Sequence, residues 1–501
     1  MKLHQLLSFI QLENNPMVHG PKDANILELE LSGLFFDTRE ILPNSIYVAI
    51  RGSKNDGHQF IQQAIAGGAI ALIVENTKNI PENFMGLVVE VSDSRNMLDL
   101  LAARYFDYPS QKLFCFGVTG TNGKTSITYM LEHILAYNHR TTGIMGTINH
   151  RVGEKIWDSQ MTTPDPVTLQ KRLDDFVKFQ AFAAALEVSS HALDQKRAES
   201  VHFNTVIFTN LTLDHLDYHK TMDNYFEAKQ KLFTDLMWFS LKRPLFAVVN
   251  IDDPYGRKLK TAEPVICWTY GQKDSDFKFK INKMDFAETQ FTLVTPLETV
   301  DVTVPLTGTH TIYNVVAALA AALTSGITLD QGLKSLASFS GVPGRLQKIL
   351  TSSRKTVFID YAHTPDALEN TLQSIQKIKN ELKTETKIIT VFGCGGDRDK
   401  TKRPLMAEIA ARLSDFVIVT SDNPRTENPQ TIINDIKVGL PNSFKNFELE
   451  IDREKAIQKA INLADGQAVI LIAGKGHEDY QIIGDQKNHF SDYEIAKKYL
   501  E

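Results

Sequence analysis

The sequence from residue 114 to residue 129 reads Phe-Cys-Phe-Gly-Val-Thr-Gly-Thr-Asn-Gly-Lys-Thr-Ser-Ile-Thr-Tyr. An apolar run over 113–118 predicts a buried strand, and the pattern resumes as a helix from about Thr125. Between them, Gly120 and Gly123 allow a turn whose backbone N–H groups close around a phosphate at the positive end of the helix. The stretch therefore predicts an α/β domain with a phosphate site.

The side chains of this turn indicate a nucleoside triphosphate. Lys124 supplies a charge for the outer phosphates, and the Thr125 hydroxyl is a potential Mg²⁺ ligand. The strict P-loop pattern has glycine where Val118 stands. A structural glycine turn without a ligand is the alternative, and we favour the phosphate loop.

Length and composition limit the class of protein. The chain has 501 residues, which predicts about three domains. A hydrophobic content of 43% and a charged content of 23% are typical of soluble globular proteins. The net charge of −6 argues against nucleic-acid partners and anionic membranes. The three cysteines have neither disulfide nor zinc spacing, and no signal peptide or membrane span is predicted, so we expect a cytoplasmic protein.

Changes in the hydrophobic pattern divide the chain into three α/β domains. We predict an N-terminal α/β substrate domain over 1–109 and a central domain with a P-loop ATPase-like parallel sheet over 110–340. A C-terminal Rossmann-like domain over 341–501 follows from regular strand–turn–helix units. Ligands bind outside the carboxyl ends of strands in such sheets, so the polar turns after the strands are candidate site residues.

In the central domain, three kinds of polar residue are candidates. Glu187 ends a predicted buried strand, where a carboxylate is a second Mg²⁺ ligand; a helix cap or a surface charge is the alternative. His215 and His219 have i, i+4 spacing, but the glutamate of H-E-x-x-H and a third ligand are missing, which disfavours zinc. On its residue pattern alone, Lys229 is a solvated helix lysine.

In the C-terminal domain, charged residues follow several strands. Arg425 offers a fork suited to a carboxylate, Arg398 offers a second such contact, and Glu478 is able to pair with an amine. Together they predict a pocket for a zwitterionic amino acid. Exposed pairs of this kind are also often idle, which is the alternative.

Several separated motifs together resemble those of one known family. They are Thr119-Gly120-Thr121-Asn122-Gly123-Lys124-Thr125, Glu187-Val188-Ser189-Ser190-His191, Asn210-Leu211-Thr212 with Asp214 to His219, Gly308-x-His310-x-x-Tyr313-Asn314, Gly344-Arg345, and Asp360 to Pro365. They are similar to the motifs of the Mur ligases, cytoplasmic ATP-dependent ligases of peptidoglycan precursor synthesis. The runs 392–400 and 422–425 resemble the branch that adds the third residue to UDP-N-acetylmuramoyl-L-alanyl-D-glutamate.

The resemblance implies a mechanism in which ATP converts the D-glutamate γ-carboxylate to an acyl phosphate, which the amine of the incoming amino acid attacks. It implies catalytic roles for Lys124, Glu187, His215 and Lys229, and Mg²⁺ ligands Thr125, Glu187, His215 and Lys229, the last as a carbamate (N6-carboxylysine). It also implies domain closure during catalysis.

The resemblance assigns three sets of binding residues. ATP would contact Gly120, Thr121, Asn122, Gly123, Lys124, Thr125, Ser126, Asn314, Arg345, Asp360 and His363. The UDP-linked precursor would contact Phe36, Thr38, Ser53, Lys54, Asn55, Thr162, Thr163, Ser189, Gln195 and Arg197. The amino acid would contact Arg398, Asp422, Asn423, Pro424, Arg425, Gly474 and Glu478. Met161 stands where the family often has asparagine, so a contact from that side chain is lost.

The resemblance also suggests the amino acid. The Asp-Asn-Pro-Arg form of residues 422–425 is associated with meso-diaminopimelate, whose far carboxylate Arg425 would bind. L-Lysine lacks that carboxylate and would leave the guanidinium unpaired. We therefore hypothesise meso-diaminopimelate, with ATP and the UDP-linked dipeptide as the other partners and a monomeric chain. The alternatives are ligation of L-lysine, a sister ligase of the folylpolyglutamate or cyanophycin synthetase type, and a nucleotide-dependent binding module without chemistry.

Overall fold

The computed structural model describes residues 1–6, 16–20, 24–52, 55–349, 355–464 and 467–500. The chain forms two compact units. The first contains Met1–Asp276 and Ala317–Gly332, and the second contains Phe277–Val316 and Leu333–Glu501. Each unit has sheets and hydrophobic cores of its own.

A five-stranded sheet begins the first unit. Its strands lie in the order Met17–His19, Leu87–Glu90, Ala69–Val74, Ser45–Val48 and Leu34–Phe35, and only the first pair is antiparallel. Its helices are Ala24–Glu28, Gly57–Phe60, Ile61–Ala66 and Ser94–Tyr105. Asp93 caps the last of these, because its side chain accepts a hydrogen bond from the Asn96 N–H.

The larger sheet of the first unit carries the phosphate turn. Its strands lie in the order Val265–Gly271, Leu245–Asn250, Thr205–Phe208, Phe114–Thr119, Ala183–Glu187, Thr142–Met145, Asn149–Val152 and Lys155–Asp158. The first six are parallel, and the last two form an antiparallel extension. Glu187 pairs with Val118 and Phe208 with Thr119, so three strands end together beside residues 120–123.

Helices and helical turns connect these strands. They are Pro109–Lys112, Lys124–Tyr137, Pro166–Lys178, Ser190–Asp194, Leu216–His219, Met222–Gln230, Leu232–Leu236, Met237–Phe239 and Gly256–Lys258. The helices Thr309–Thr324 and Leu329–Leu336 contain the boundaries between the two units. No helix among the described residues has the length and apolar character that crossing a membrane requires.

A doubly wound sheet forms most of the second unit. Its strands lie in the order Gln347–Ile349, Lys355–Asp360, Ala468–Ala473, Lys387–Phe392, Phe416–Thr420 and Phe447–Glu450, all parallel except the first pair. Phe358 packs into one core and its neighbours Val357 and Ile359 into the other, so both faces of the sheet are covered. The helices are Pro365–Leu382, Lys402–Leu413, Pro429–Lys437, Arg453–Leu463 and Asp492–Leu500. Antiparallel strands add Phe277–Met284, Thr289–Val294 and Thr299–Val304, and a hairpin adds Tyr480–Ile483 and Gln486–His489.

The predicted fold class is confirmed: the chain is α/β, with a small substrate-type domain, a central parallel sheet and a Rossmann-like sheet. The strand predicted over 113–118 is observed at Phe114–Thr119, and the strand predicted to end at Glu187 is observed at Ala183–Glu187. The antiparallel strands between 277 and 304 were not predicted, although their apolar residues alternate with polar ones as in a half-buried strand. The hairpin after 480 was not predicted either, and its second strand, Gln486–His489, is polar and exposed throughout. The domain boundaries at 109 and 340 remain predictions.

Candidate active site

The phosphate turn owes its shape to the neighbouring strand end. Gly120 has φ +143°, and a Cβ atom there would overlap the Thr209 hydroxyl, which donates to the Asn122 carbonyl at 2.6 Å. The Thr121 N–H donates to the Asn210 carbonyl at 2.8 Å, and the Asn122 N–H donates to Asn210 Oδ1 at 3.0 Å. Residues 209–210 therefore hold the turn open at the start of the helix Lys124–Tyr137, whose first turn has no side-chain cap. This is an anion-binding geometry.

Two lysines contact the phosphate turn. Lys124 Nζ donates to the carbonyls of Gly120 and Thr121, both at 2.9 Å, and Lys229 Nζ donates to the Gly120 carbonyl at 2.9 Å. Lys229 is 1% exposed, so the prediction of a solvated lysine from its local pattern is wrong. The helix Met222–Gln230 turns this residue toward the core, and Tyr225, one turn earlier, lies beneath its Nζ at 4.7 Å from the ring centre.

The surroundings of Lys229 favour its neutral amine. Burial, and then the charge of Lys124, lower its pKa well below the usual value for lysine, and Asp214 opposes them. Burial also raises the pKa of Tyr225 to about 12, and its hydroxyl lies 3.2 Å from the Thr121 hydroxyl. Lys229 is therefore placed as a potential nucleophilic amine and not as a fixed cation.

Three imidazoles cluster beside these lysines. The ring of His191 lies 4.9 Å from that of His215 and 5.5 Å from that of His219, measured between centroids. His219 is buried and its Nε2 lies 3.0 Å from the Ser190 hydroxyl, whereas His215 remains 44% exposed. Partial burial lowers the pKa of His215, the charges of Lys229 and Lys124 lower it further, and Asp214 raises it. His215 is thus favoured as a neutral, accessible nitrogen ligand.

The predicted buried strand end at Glu187 is confirmed, since this residue is 1% exposed. Its Oε1 accepts a hydrogen bond from the Thr147 N–H and its Oε2 one from the Thr147 hydroxyl, both at 3.0 Å. Neither the helix cap nor the surface charge considered for Glu187 describes this arrangement. Thr147 therefore fixes the carboxylate plane.

The side chains around the phosphate turn include few potential ligands for a divalent cation. Within the described residues, no group of three or more His, Cys, Asp or Glu side chains is placed to hold a metal ion. Mg²⁺ in nucleotide sites usually takes only one or two protein ligands, together with phosphate oxygens and water. A buried carboxylate at Glu187 and a buried hydroxyl residue at Thr125, the second residue of the phosphate-turn helix, fit that requirement.

Five residues predicted to bind the UDP-linked precursor form one connected network. The hydroxyl of Thr162 lies 3.1 Å from that of Thr147, which joins the network to Glu187. Thr163 Oγ1 accepts from the Ser189 N–H at 2.9 Å. Arg197 donates to the Thr163 carbonyl at 3.0 Å and to Gln195 Oε1 at 2.6 Å.

The remaining precursor residues lie in the small domain. Phe36 is 36% exposed, and the Thr38 hydroxyl donates to Gln63 Oε1 at 2.9 Å. Asn55 is exposed, and its carbonyl accepts from the Gly52 N–H. Ser53 and Lys54 lie outside the described residues.

Met161, the residue that stands where the family often has asparagine, is 41% exposed, and its Sδ lies 3.3 Å from an Arg197 nitrogen.

In the second unit, the residues assigned to ATP lie on the helix Thr309–Thr324 and around the end of the strand Lys355–Asp360. Asn314 is partly buried on that helix. Asp360 is buried and accepts from the backbone N–H groups of Leu346 at 2.6 Å and Ala362 at 3.0 Å. The Arg345 guanidinium lies 5.1 Å from the centre of the Tyr361 ring, which is also 4.6 Å from the His363 ring. Their contacts with ATP remain predictions.

The residues assigned to the amino acid meet at the ends of neighbouring strands. Arg425 Nη1 donates to the Gly396 carbonyl at 2.9 Å, whereas neither Nε nor Nη2 donates to a residue in the described part of the chain. Asn423 Nδ2 donates to Glu478 Oε2 at 2.8 Å. Gly474 has φ +113°, and a Cβ atom there would lie 2.8 Å from Asp422 Oδ2. Arg398 is exposed on the neighbouring turn, and Pro424 lies between Asn423 and Arg425.

Four side chains in these clusters were not singled out from the sequence: Thr147, Tyr225, Tyr361 and Lys475. Thr147 and Lys475 each hold a predicted site carboxylate, and Tyr361 and Tyr225 lie beside predicted site residues. Their only signal in the sequence is proximity to the motifs.

Comparison with known proteins gives matches along nearly the whole chain. Three family models match: "Mur ligase family, catalytic domain" over residues 30–106, "Mur ligase middle domain" over 118–322, and "Mur ligase, glutamate ligase domain" over 344–476. UDP-N-acetylmuramoyl-L-alanyl-D-glutamate–2,6-diaminopimelate ligase of Fusobacterium nucleatum is 41% identical over 481 residues, which is 95% of each chain. The ligase of that name from Bacillus cereus is 40% identical over 500 residues, covering 99% of this chain and 98% of its own.

Solved structures agree with these matches. A structure of UDP-N-acetylmuramoyl-L-alanyl-D-glutamate–2,6-diaminopimelate ligase is 31% identical with a TM-score of 0.69, covering 97% of this chain and 99% of its own. MurF ligase from Thermotoga maritima in complex with ADP has a TM-score of 0.59 at 19% identity, covering 93% of this chain and 96% of its own, and shows similarity of fold alone. By sequence and fold, the chain belongs to the Mur ligase family.

Proposed function

We propose that the chain is an ATP-dependent amide ligase that joins meso-diaminopimelate to the D-glutamate γ-carboxylate of UDP-N-acetylmuramoyl-L-alanyl-D-glutamate. One geometric observation carries the proposal: Arg425 and the partly exposed carboxylate of Glu478 both lie in the turns that follow the strands of the second unit. It gains weight from relatives at 40–41% identity that bear the corresponding ligase name.

The first step activates the acceptor. An oxygen of the γ-carboxylate attacks the γ-phosphorus of ATP, ADP leaves, and an acyl phosphate forms. The phosphate turn binds the phosphates through backbone N–H groups at the helix start, and Lys124 neutralises charge on the outer ones. The chain supplies no covalent nucleophile, because positioning and charge neutralisation account for phosphoryl transfer.

Thr125 and Glu187 would hold one Mg²⁺, and His215, together with the carbamate of Lys229, would help to hold a second. When bound, the cations neutralise charge that develops on the phosphate oxygens. Thr147 holds the Glu187 carboxylate, and the Asp214 carboxylate lies 3.4 Å from His215 Nε2. Glu187 and His215 thus each have a neighbouring group that orients them.

Lys229 would act as a carbamate. A neutral lysine amine adds to the carbon of CO₂ and loses one proton, and the product is anionic. Burial and Lys124 lower the pKa of Lys229, which favours the neutral amine that this reaction needs. The resulting anion would lie near the Lys124 ammonium, since both Nζ atoms contact the Gly120 carbonyl.

The second step forms the amide. The amine of the amino acid attacks the carbonyl carbon of the acyl phosphate, and inorganic phosphate leaves from the tetrahedral intermediate. Nη1 of Arg425 donates to the Gly396 carbonyl, and its Nε and Nη2 would bind the far carboxylate of diaminopimelate bidentately. L-Lysine would leave this guanidinium unpaired, and a lost hydrogen bond to a charged group costs about 1.5–3 kcal/mol.

Because the substrates are nucleotides, we place the reaction in the cytoplasm. We also propose that the protein is a monomer, which gel filtration would test.

ADP release tests the proposal, measured with the UDP-linked dipeptide, Mg-ATP and either meso-diaminopimelate or L-lysine. Stimulation by diaminopimelate alone is expected, and Arg425→Ala should raise its KM by about 10- to 100-fold. Stimulation by lysine would retain the ligase and reject the role of Arg425. If neither amino acid stimulates ADP release, the proposed diaminopimelate ligation is rejected, and a sister ligase or a binding module is favoured.

A further inference from the structure

A buried lysine lies behind the candidate amino-acid pocket. Lys475 directly follows Gly474 at the end of the strand Ala468–Ala473, and its side chain is 0% exposed. Its Nζ lies 3.2 Å from Glu478 Oε2, 3.4 Å from Asn423 Oδ1 and 5.4 Å from the centre of the Tyr480 ring. The flexible, strongly hydrated lysine side chain is rarely buried completely without a specific partner.

The hydrogen bonds around Lys475 fix the orientation of two other side chains. Asn423 Oδ1 accepts from Lys475 and from the Ile482 N–H at 2.9 Å, which leaves Asn423 Nδ2 to donate to Glu478 Oε2 at 2.8 Å. Glu478 Oε2 therefore accepts two hydrogen bonds. Glu478 Oε1 accepts none from any residue that the structure describes, and the Glu478 side chain keeps 16% exposure.

A second buried cation in this unit provides a contrast. Arg453 pairs with Asp492 through two hydrogen bonds of 2.7 Å, and both side chains are 0% exposed. That pair is closed, because both carboxylate oxygens are bonded by the guanidinium. The Lys475–Glu478 pair is open on one side, as a ligand-binding carboxylate requires.

From this asymmetry we infer that Lys475 is a positioning residue for the incoming amino acid. It holds Glu478 through Oε2 and leaves Oε1 for an ammonium group of the substrate. The inference rests on the proposed function, which supplies the amino-acid substrate. Lys475 itself touches no substrate and acts through Glu478 and Asn423.

The test is a double-mutant cycle of Lys475→Met and Glu478→Gln, with KM measured for the amino acid, ATP and the UDP-linked dipeptide. Lys475→Met should raise KM for meso-diaminopimelate by about 10- to 100-fold and leave the other two KM values unchanged. Adding it to Glu478→Gln should have little further effect, because both act on one contact. The control is Lys459→Met, which removes a half-exposed surface pair with Glu450 and should change no KM.

Two further variants keep the inference testable should Lys475→Met fold poorly. Lys475→Arg keeps the charge and should hold KM for diaminopimelate within about threefold of the wild type, whereas Lys475→Gln should raise it. Additive effects in the cycle, or equal rises in all three KM values, would show a merely structural lysine. Suppose that diaminopimelate stimulates ADP release by the wild type, and that Lys475→Met and Lys475→Gln keep a normal KM for it. That result would overturn this inference alone. If diaminopimelate does not stimulate ADP release by the wild type, both the inference and the proposed function are overturned.

Discussion

The Nζ atoms of Lys124 and Lys229 donate hydrogen bonds to one acceptor, the backbone carbonyl oxygen of Gly120, each at 2.9 Å. Two ammonium groups at one carbonyl repel each other, and Lys229 is the more deeply buried partner in the core. Its proton is therefore the one that the site disfavours. The two lysines thus differ in charge state: Lys124 is the cation proposed to bind phosphate, and Lys229 is the amine proposed to react with CO₂.

Lys229→Met should abolish a protein-bound carbamate signal in ¹³C NMR with labelled bicarbonate. It should also reduce ADP formation by about 100- to 1,000-fold, since it removes an oriented charge from the proposed reaction site. The control is Lys231→Met. Lys231 is 39% exposed, and its ion pair is weak, with Nζ 3.9 Å from Asp194 Oδ1. Equal carbamate signals in the two variants would contradict the assignment.

Thr147→Val removes the hydroxyl that donates to Glu187 Oε2, while the backbone N–H that donates to Oε1 remains. We expect kcat to fall by about tenfold and the Mg²⁺ concentration for half-maximal activity to rise, because second-sphere groups orient metal ligands. Thr147→Ser keeps the hydroxyl and should restore both values. Unchanged Mg²⁺ dependence in Thr147→Val would separate Glu187 from metal binding.

Gly120→Ala should damage the phosphate turn more than it damages the fold. The new Cβ would overlap the Thr209 hydroxyl at a φ of +143°, so the turn must shift. KM for ATP is expected to rise by at least about tenfold. Gly20→Ala is the matched control, because a Cβ there meets no atom within 4 Å. A normal KM for ATP in Gly120→Ala would show that the turn does not bind phosphate.

Asp99 should make thermal stability depend on pH. It is 0% exposed, its Oδ2 accepts from the Ser200 N–H at 2.6 Å, and burial raises its pKa to about 7. Between about pH 4 and that value the unfolded chain releases this proton and the folded chain retains it. The free energy of unfolding therefore falls by about 1.4 kcal/mol for each pH unit by which the pH rises within that window.

Asp99→Asn removes this titration and keeps an acceptor for Ser200. Its Tm should exceed that of the wild type by a margin that grows from pH 5 to pH 7 and then levels off. Asp158→Asn alters an exposed carboxylate and should show no such trend. Parallel Tm profiles for Asp99→Asn and the wild type would refute the prediction.

The contrast between predicted and unpredicted residues has a physical origin. Strands such as Ala183–Glu187 are continuous apolar runs, and a polar residue at the end of such a run is visible in the sequence. Lys229 lies in a polar helix, and it is buried by tertiary packing that brings its Nζ to the Gly120 carbonyl. Thr147 and Lys475 likewise have partners that are distant in sequence, Glu187 and Asn423 respectively, and local patterns do not encode such contacts.

Arg453 connects the helix Asp492–Leu500 to the two turns proposed to bind the amino acid. Its guanidinium donates to the carbonyls of Ser421 and Ala473, the residues immediately before Asp422 and Gly474, and pairs with Asp492 at the start of the last helix. Removing that helix would leave the Arg453 guanidinium buried without its carboxylate partner, next to the two turns proposed to bind the amino acid. The helix Asp492–Leu500 therefore supports the proposed amino-acid pocket through one buried ion pair.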